Sequence, residues 1–123
     1  MKTTLVAILL ALIFLLSGGA KLAGLEFEIE AFQRWGYPLW FMYLIGSIEV
    51  AGGIALLFRR VSALAAAGLA LMMVGAVMTH VLHAEWAMLA VAGMILAFSA
   101  WRAMSGRADI LALLPRNQIP TTG

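Results

Sequence analysis

Lys21, Glu49, His80 and His83 are the side chains of this sequence whose chemistry and setting could make a site. Lys21 and Glu49 lie within apolar runs and the histidines close one, and an ionisable group at membrane depth costs about 2.5–3.5 kcal/mol on insertion scales. Each one therefore needs a reason. Glu49 stands some eleven residues into the run that begins near Leu39. At 1.5 Å per residue that is about 16 Å from the outer end of the run, close to a bilayer midplane. A carboxyl there can accept a proton or hold the polar head of a ligand, or, protonated, tie two helices together by a hydrogen bond. Lys21 ends the stretch "LLSGGAKLAG". An ammonium near a helix C-terminus suits the macrodipole and can snorkel to the interface; the same position also suits the outer part of a site. If neighbouring spans had level ends, Lys21 and Glu49 would differ by about 10–12 Å in depth. A direct bridge would then need the helices to tilt or shift.

His80 and His83, in "THVLHAEW", share a helical face at i, i+3 with Thr79 nearby. Two imidazoles without further ligands do not make a metal set, so no metal is expected. Glu85 and Trp86 read as a helix cap and an interfacial aromatic. No nucleophile–base arrangement and no phosphate loop occurs, so no catalytic residue can be named and an enzyme acting alone is the least favoured class.

The elements that must position these groups follow from composition. Apolar residues make up 64% of the 123 residues and charged ones 11%, against roughly 45–50% and about 25% in ordinary soluble domains. A chain of this length cannot bury that excess, which makes the bilayer its partner. With no cysteine there is no disulfide or thiol redox chemistry. A net charge of +2 is no nucleic-acid signature. Apolar runs cover about residues 3–23, 39–58, 61–82 and 85–103, each near the 20 residues that cross a hydrocarbon core. They predict an all-α integral membrane four-helix bundle occupying residues 1–113, with 114–123 as a mobile cytoplasmic tail. Lys2, Arg59, Arg60, Arg102, Arg107 and Arg116 fall on one side and Lys21 and Arg34 on the other. The positive-inside rule then puts both termini in the cytoplasm. Lys2, the apolar run and "SGGA" also look like a secretory signal. The run is longer than an h-region and no polar mature domain follows it, so retention is the expectation.

Between the first two spans lies "LEFEIEAFQRWGYP", residues 25–38. Leu25, Ile29 and Phe32 fall at helical spacing, and Glu30 and Arg34 form an i, i+4 pair. A short amphipathic helix in the interface is preferred to an ordered loop, with Trp35, Tyr37 and Trp40 as an aromatic belt. Gly46, Gly52 and Gly53 share the helix face of Glu49, and Gly18 and Gly24 that of Lys21. Small residues there let neighbouring backbones approach, so the Glu49 face should point into the bundle, while Lys21 could turn inward to it or outward to water.

"FLLSGGAKLAG", "FQRWGYPLWFMYLIGSIEVAGGIALL" and "MTHVLHAEW", at these separations, resemble the DoxX-like family of small bacterial four-span membrane proteins. The likeness runs from about Ile13 to Trp86. Its Gly-x-x-Lys-Leu-x-Gly element is Gly18, Lys21, Leu22 and Gly24; its Gly-x-x-Glu-x-x-Gly-Gly element is Gly46, Glu49, Gly52 and Gly53; its histidine maps to His80. The resemblance implies the bacterial inner membrane, and relatives associated with thiosulfate:quinone oxidoreduction or with oxidative-stress complexes. The resulting expectation is an accessory subunit of a redox system, lining a quinone or lipid site with Glu49 as polar contact and Lys21, His80 and His83 around it. A membrane or redox protein, or a second copy, would be its partner. A transporter or channel for a small solute or proton is the alternative, and a purely structural assembly factor is the third. The scarcity of polar residues in the cytoplasmic half of the spans argues against an open path.

Overall fold

A computed structural model describes residues 2–114. Six helices follow one another: α1 (Lys2–Leu22), α2 (Glu26–Trp35), α3 (Leu39–Leu56), α4 (Arg59–Leu82), α5 (Trp86–Ser105) and α6 (Arg107–Leu113). No strand occurs among the described residues. α1, α3, α4 and α5 are long and apolar enough to cross a membrane and match the four expected runs to within a few residues. The expected tail, with Arg116, lies outside the described residues except for Leu114.

The spans pack as a ring in the order α1, α3, α4, α5, and the seam where α5 returns to α1 is the loosest. Lipid is as apolar as leucine, so association relies on close packing and polar contacts rather than on hiding grease from water. Accordingly Leu16 and Leu71 are 74% and 76% exposed on the outside. The core is a small cluster around Leu10, Ala11, Phe14, Leu56, Leu69 and Met73. α1 and α3 meet at glycines. A Cβ on Gly18 would lie 2.7 Å from the Gly46 carbonyl oxygen and 2.8 Å from Glu49 Cβ. Only hydrogen fits there. Gly53 faces Ala11 and Leu15 of α1, whereas Gly52 faces Leu69 of α4. The glycines flanking Glu49 therefore divide between two neighbours. Gly24 does not pack helices as expected: it takes φ +65° in the turn that ends α1, where the Leu25 N–H reaches back to the Ala20 carbonyl at 3.1 Å.

Helix α2 is the short amphipathic helix expected of the first connection. It is docked on the bundle through Ala31 and Phe32, which are buried. Phe32 sits among Trp35, Tyr37 and Phe41 with ring centroids 5.2–6.3 Å away. Gly36 stops it in the left-handed conformation, its N–H directed to the carbonyls of Gln33 and Phe32. At the other end of the bundle α6, a helix the sequence did not announce, packs against α4.

Candidate ligand cavity

Antiparallel α1 and α3 are out of step. Lys21, next to the end of α1, lies beside Gly46, seven residues inside α3, so α1 stops about 10 Å short of the start of α3. Level ends were the wrong picture. Gly18 is abreast of Glu49, and Lys21 is only three residues, about 4.5 Å, further along. Its ammonium consequently meets Glu49 Oε1 at 3.1 Å, in a salt bridge whose side chains are 10% and 6% exposed. α2 fills the space above the recessed end of α1 and adds Glu28, whose Oε1 is 3.4 Å from the same ammonium. Lys21 also donates to Ser17 Oγ at 2.8 Å, one turn down its own helix. Three N–H groups thus face three acceptors, and Lys21 points inward to the bundle, not outward to water.

A second polar group is built on Glu85. Its position precedes α5, but its side chain caps nothing. Instead Arg34 donates two hydrogen bonds to Oε2, at 2.8 and 3.2 Å. Oε1 accepts from Trp35 Nε1 at 2.7 Å and meets His80 Nδ1 at 3.1 Å. Burial alone would raise the Glu85 carboxyl, and the bonds from His80, Trp35 and Arg34 outweigh it, holding the carboxyl below its ordinary range. Ionised, Glu85 has no proton to give, so His80 Nδ1 carries the hydrogen of that contact. The expected Glu30–Arg34 pair gives way to Arg34–Glu85, where the carboxylate is only 14% exposed. Ala84, in the left-handed region at φ 53°, makes the tight turn that delivers Glu85.

Between the two groups lies a cavity of about 520 Å³, walled by all four spans and covered by α2. Lys21, Glu28, Glu49 and His80 line it, with the aromatic edges of Trp35 and Tyr37 and a wall of methionine and aliphatic side chains from α4 and α5. Trp35 and Tyr37 therefore do not join the interfacial belt. Their polar atoms have buried partners in Glu85 and in Thr79, 2.8 Å from the Tyr37 hydroxyl; Trp40 remains outside, 66% exposed. His83 also departs from expectation. It ends α4 as an exposed residue whose Nδ1 turns back to the Thr79 carbonyl at 2.8 Å, and it does not line the cavity. Ile13, Met88 and Val91, lining the cavity near the loose α1–α5 seam, are exposed on the lipid side. The opposite end is closed by the core, to which Phe14, Met73 and Ala92 also belong. Among the side chains that line the cavity, one buried polar atom is left over: Glu49 Oε2 has no hydrogen-bond partner.

Glu28 was not anticipated as a partner of Lys21. Glu28 shares a helical face with Ala31, Phe32 and Trp35, a signal that the alternation of "EFEIE" obscured. Ser17 stands one turn from Lys21, the spacing at which a lysine finds a hydroxyl.

The pattern of the DoxX-like family matches residues 5–101. The uncharacterized protein YdgD of Bacillus subtilis (strain 168) is 33% identical over 78 residues, covering 59% of this chain and 68% of that protein. A second protein of the same organism, provisionally named oxidoreductase CatD, is 31% identical over 84 residues, 68% of this chain and 63% of its own length. No solved structure gives a significant match. With the family pattern spanning most of its length, and its lysine, glutamate and histidine all on one cavity, this chain belongs to the DoxX-like family.

Proposed function

We propose that this chain is a small subunit of a redox system in the bacterial inner membrane, with both termini cytoplasmic, and that its cavity holds the head of a quinone-type lipid. The observation that carries the reading is the cavity itself. It is apolar enough for a ring and tail, polar at Glu49 and His80, and within the roughly 300–1,000 Å³ of small-molecule sites. Glu49 and His80 on the cavity wall give such a head its polar surroundings, and the loose α1–α5 seam gives a tail an exit into lipid. A quinone would supply two-electron, two-proton chemistry; the chain's residues would orient the ring and exclude water. The name of the relative CatD agrees with a redox setting. The apolar core that closes the inner end of the cavity speaks against a conducting path.

A structural role for the polar pair has its own support, because every N–H of Lys21 is matched and the pair fixes the register of α1 on α3. Fluorescence separates the two. Trp40, Trp86 and Trp101 are exposed, so a variant with phenylalanine at all three leaves Trp35 as reporter on the cavity. In nanodiscs, a short-tailed benzoquinone should quench Trp35 saturably, and Glu49→Leu should weaken binding. Linear, unsaturable quenching would leave only the structural role.

A further inference from the structure

The end of the bundle remote from the cavity, where α3 turns into α4 and α5 into α6, holds a buried charge that the cavity does not use. Arg102, in the last turn of α5, is only 6% exposed. None of the ion pairs among the described residues includes it. Its Nη1 reaches the Ser105 hydroxyl at a long 3.5 Å, and its Nε has no partner. The hydroxyls of Ser99, one turn earlier on α5, and of Ser62, at the start of α4, are also buried and unpartnered. Hydroxyls do not neutralise a cation, and the carbonyl end of α5 supplies only a partial negative charge. A buried cation without its anion is costly. An anion is what this corner lacks.

The guanidinium rests against the start of α4. A Cβ on Gly106 would lie 2.6 Å from Arg102 Nη1 and 2.5 Å from Ala63 Cβ, so the turn into α6 has room only for glycine. Arg59 stands one turn before Ala63 on the same face of α4, Arg107 directly follows Gly106, and both are exposed. No side chain caps the N-terminus of α4, which leaves its first N–H groups and the positive end of its dipole at the same corner. Among the described residues this end carries Lys2, Arg59, Arg60, Arg102 and Arg107 against Asp109 alone. Beside the arginines Phe58, Trp101 and Met104 are exposed and apolar, a surface on which acyl chains can lie. We propose that this corner binds the phosphate of an anionic phospholipid. Arg59, Arg107 and the uncapped turn of α4 are the direct contacts. Arg102 Nε and the two serine hydroxyls are sealed from any ligand; Arg102 acts from beneath through its charge, which its low-dielectric surroundings leave weakly screened. Free phosphate shares the headgroup chemistry, and the apolar collar favours the lipid. The site is independent of the quinone-type reading of the cavity.

The test is native mass spectrometry of lipid retained by the full chain from mixed micelles, with phosphatidylglycerol and phosphatidylcholine of identical acyl chains as probes. Phosphatidylglycerol should be retained saturably, with a preference over phosphatidylcholine of about fivefold or more. Arg59→Gln and Arg107→Gln, both at exposed positions, should each lower phosphatidylglycerol retention about fivefold and leave phosphatidylcholine unchanged. Arg102→Gln should have the same selective effect, whereas Arg102→Lys keeps the charge and with it the preference. A packing defect would instead lower both lipids together, and that result at Arg102→Gln overturns its part in the site. Equal retention of the two lipids, or a preference indifferent to Arg59 and Arg107, overturns the site itself. Displacement of phosphatidylglycerol by millimolar inorganic phosphate overturns the lipid as occupant in favour of free phosphate.

Discussion

Replacing Lys21 by methionine preserves the length of the side chain and deletes the charge. In the folded protein Glu49 then faces the bundle with both oxygens unpartnered at 6% exposure, and Glu28 loses its cation at 12%. Removing one partner of a buried pair typically costs about 3–5 kcal/mol. Glu49 has one escape, which is to take up a proton. For a carboxyl of ordinary pKa near 4.3 at pH 7, that is about 2.7 pH units at 1.36 kcal/mol each, or about 3.7 kcal/mol. The two routes agree, so the single variant should lose about 3–4 kcal/mol in equilibrium unfolding in mixed micelles at neutral pH. Two consequences separate this from a general packing defect. The loss should shrink by about 1.4 kcal/mol for each pH unit between 7 and 5, as the proton becomes easier to acquire. Adding Glu49→Met should restore most of the stability, since an apolar pair of similar volume is often as stable as a buried ion pair. A loss below about 1 kcal/mol at pH 7, or one that stays constant down to pH 5, would refute the buried pair.

Other consequences can be read alongside it. Gly18→Ala drives a Cβ to 2.7 Å from the Gly46 carbonyl oxygen, an overpacking cost of about 1–3 kcal/mol that exceeds alanine's helix-propensity gain of about 1 kcal/mol; Gly19→Ala, with nothing within 4 Å, should keep that gain. Equal effects at the two adjacent sites would show that α1 and α3 do not meet there. Glu85, held below the ordinary carboxylate range by His80, Trp35 and Arg34 against the effect of burial, stabilises the fold above about pH 4.3 and loses that contribution as pH falls through its lowered folded value. The stability gap between wild type and Glu85→Gln should accordingly be full above about pH 5 and shrink as the pH is lowered from there; a gap independent of pH would contradict the network. Ala84 at φ 53° should accept glycine with a gain of up to about 1 kcal/mol, and a loss on that change would mean the turn is not left-handed.

The spans were legible because a bilayer demands about twenty apolar residues in a row and Gly36-Tyr37-Pro38 breaks the second run from what precedes it. Lys21, Glu49 and His80 were legible for the complementary reason: polar atoms in apolar runs stand out. Their meeting was not, because it depends on where α1 stops against α3, and no local pattern states that offset. Gly18 and Gly46 encode it, but only as permission for close approach. Trp35 and Tyr37 were misplaced because an aromatic at a span's edge suits a lipid interface equally well; only the partners of Nε1 and of the hydroxyl, 50 and 42 residues away in sequence, turn them inward. His83 was joined to His80 by a spacing of three, yet it closes α4, where its ring caps a carbonyl instead.

The claim on which the functional reading rests is that the space between Glu49 and His80 receives a quinone-type head. Photolabelling with an azido-benzoquinone in nanodiscs, followed by peptide mapping, addresses it most directly. The account predicts labels on cavity residues such as Trp35, Met72 and Met88, suppressed by excess unlabelled benzoquinone. Labels confined to outward residues such as Leu71 and Trp101, and indifferent to competitor, would contradict it.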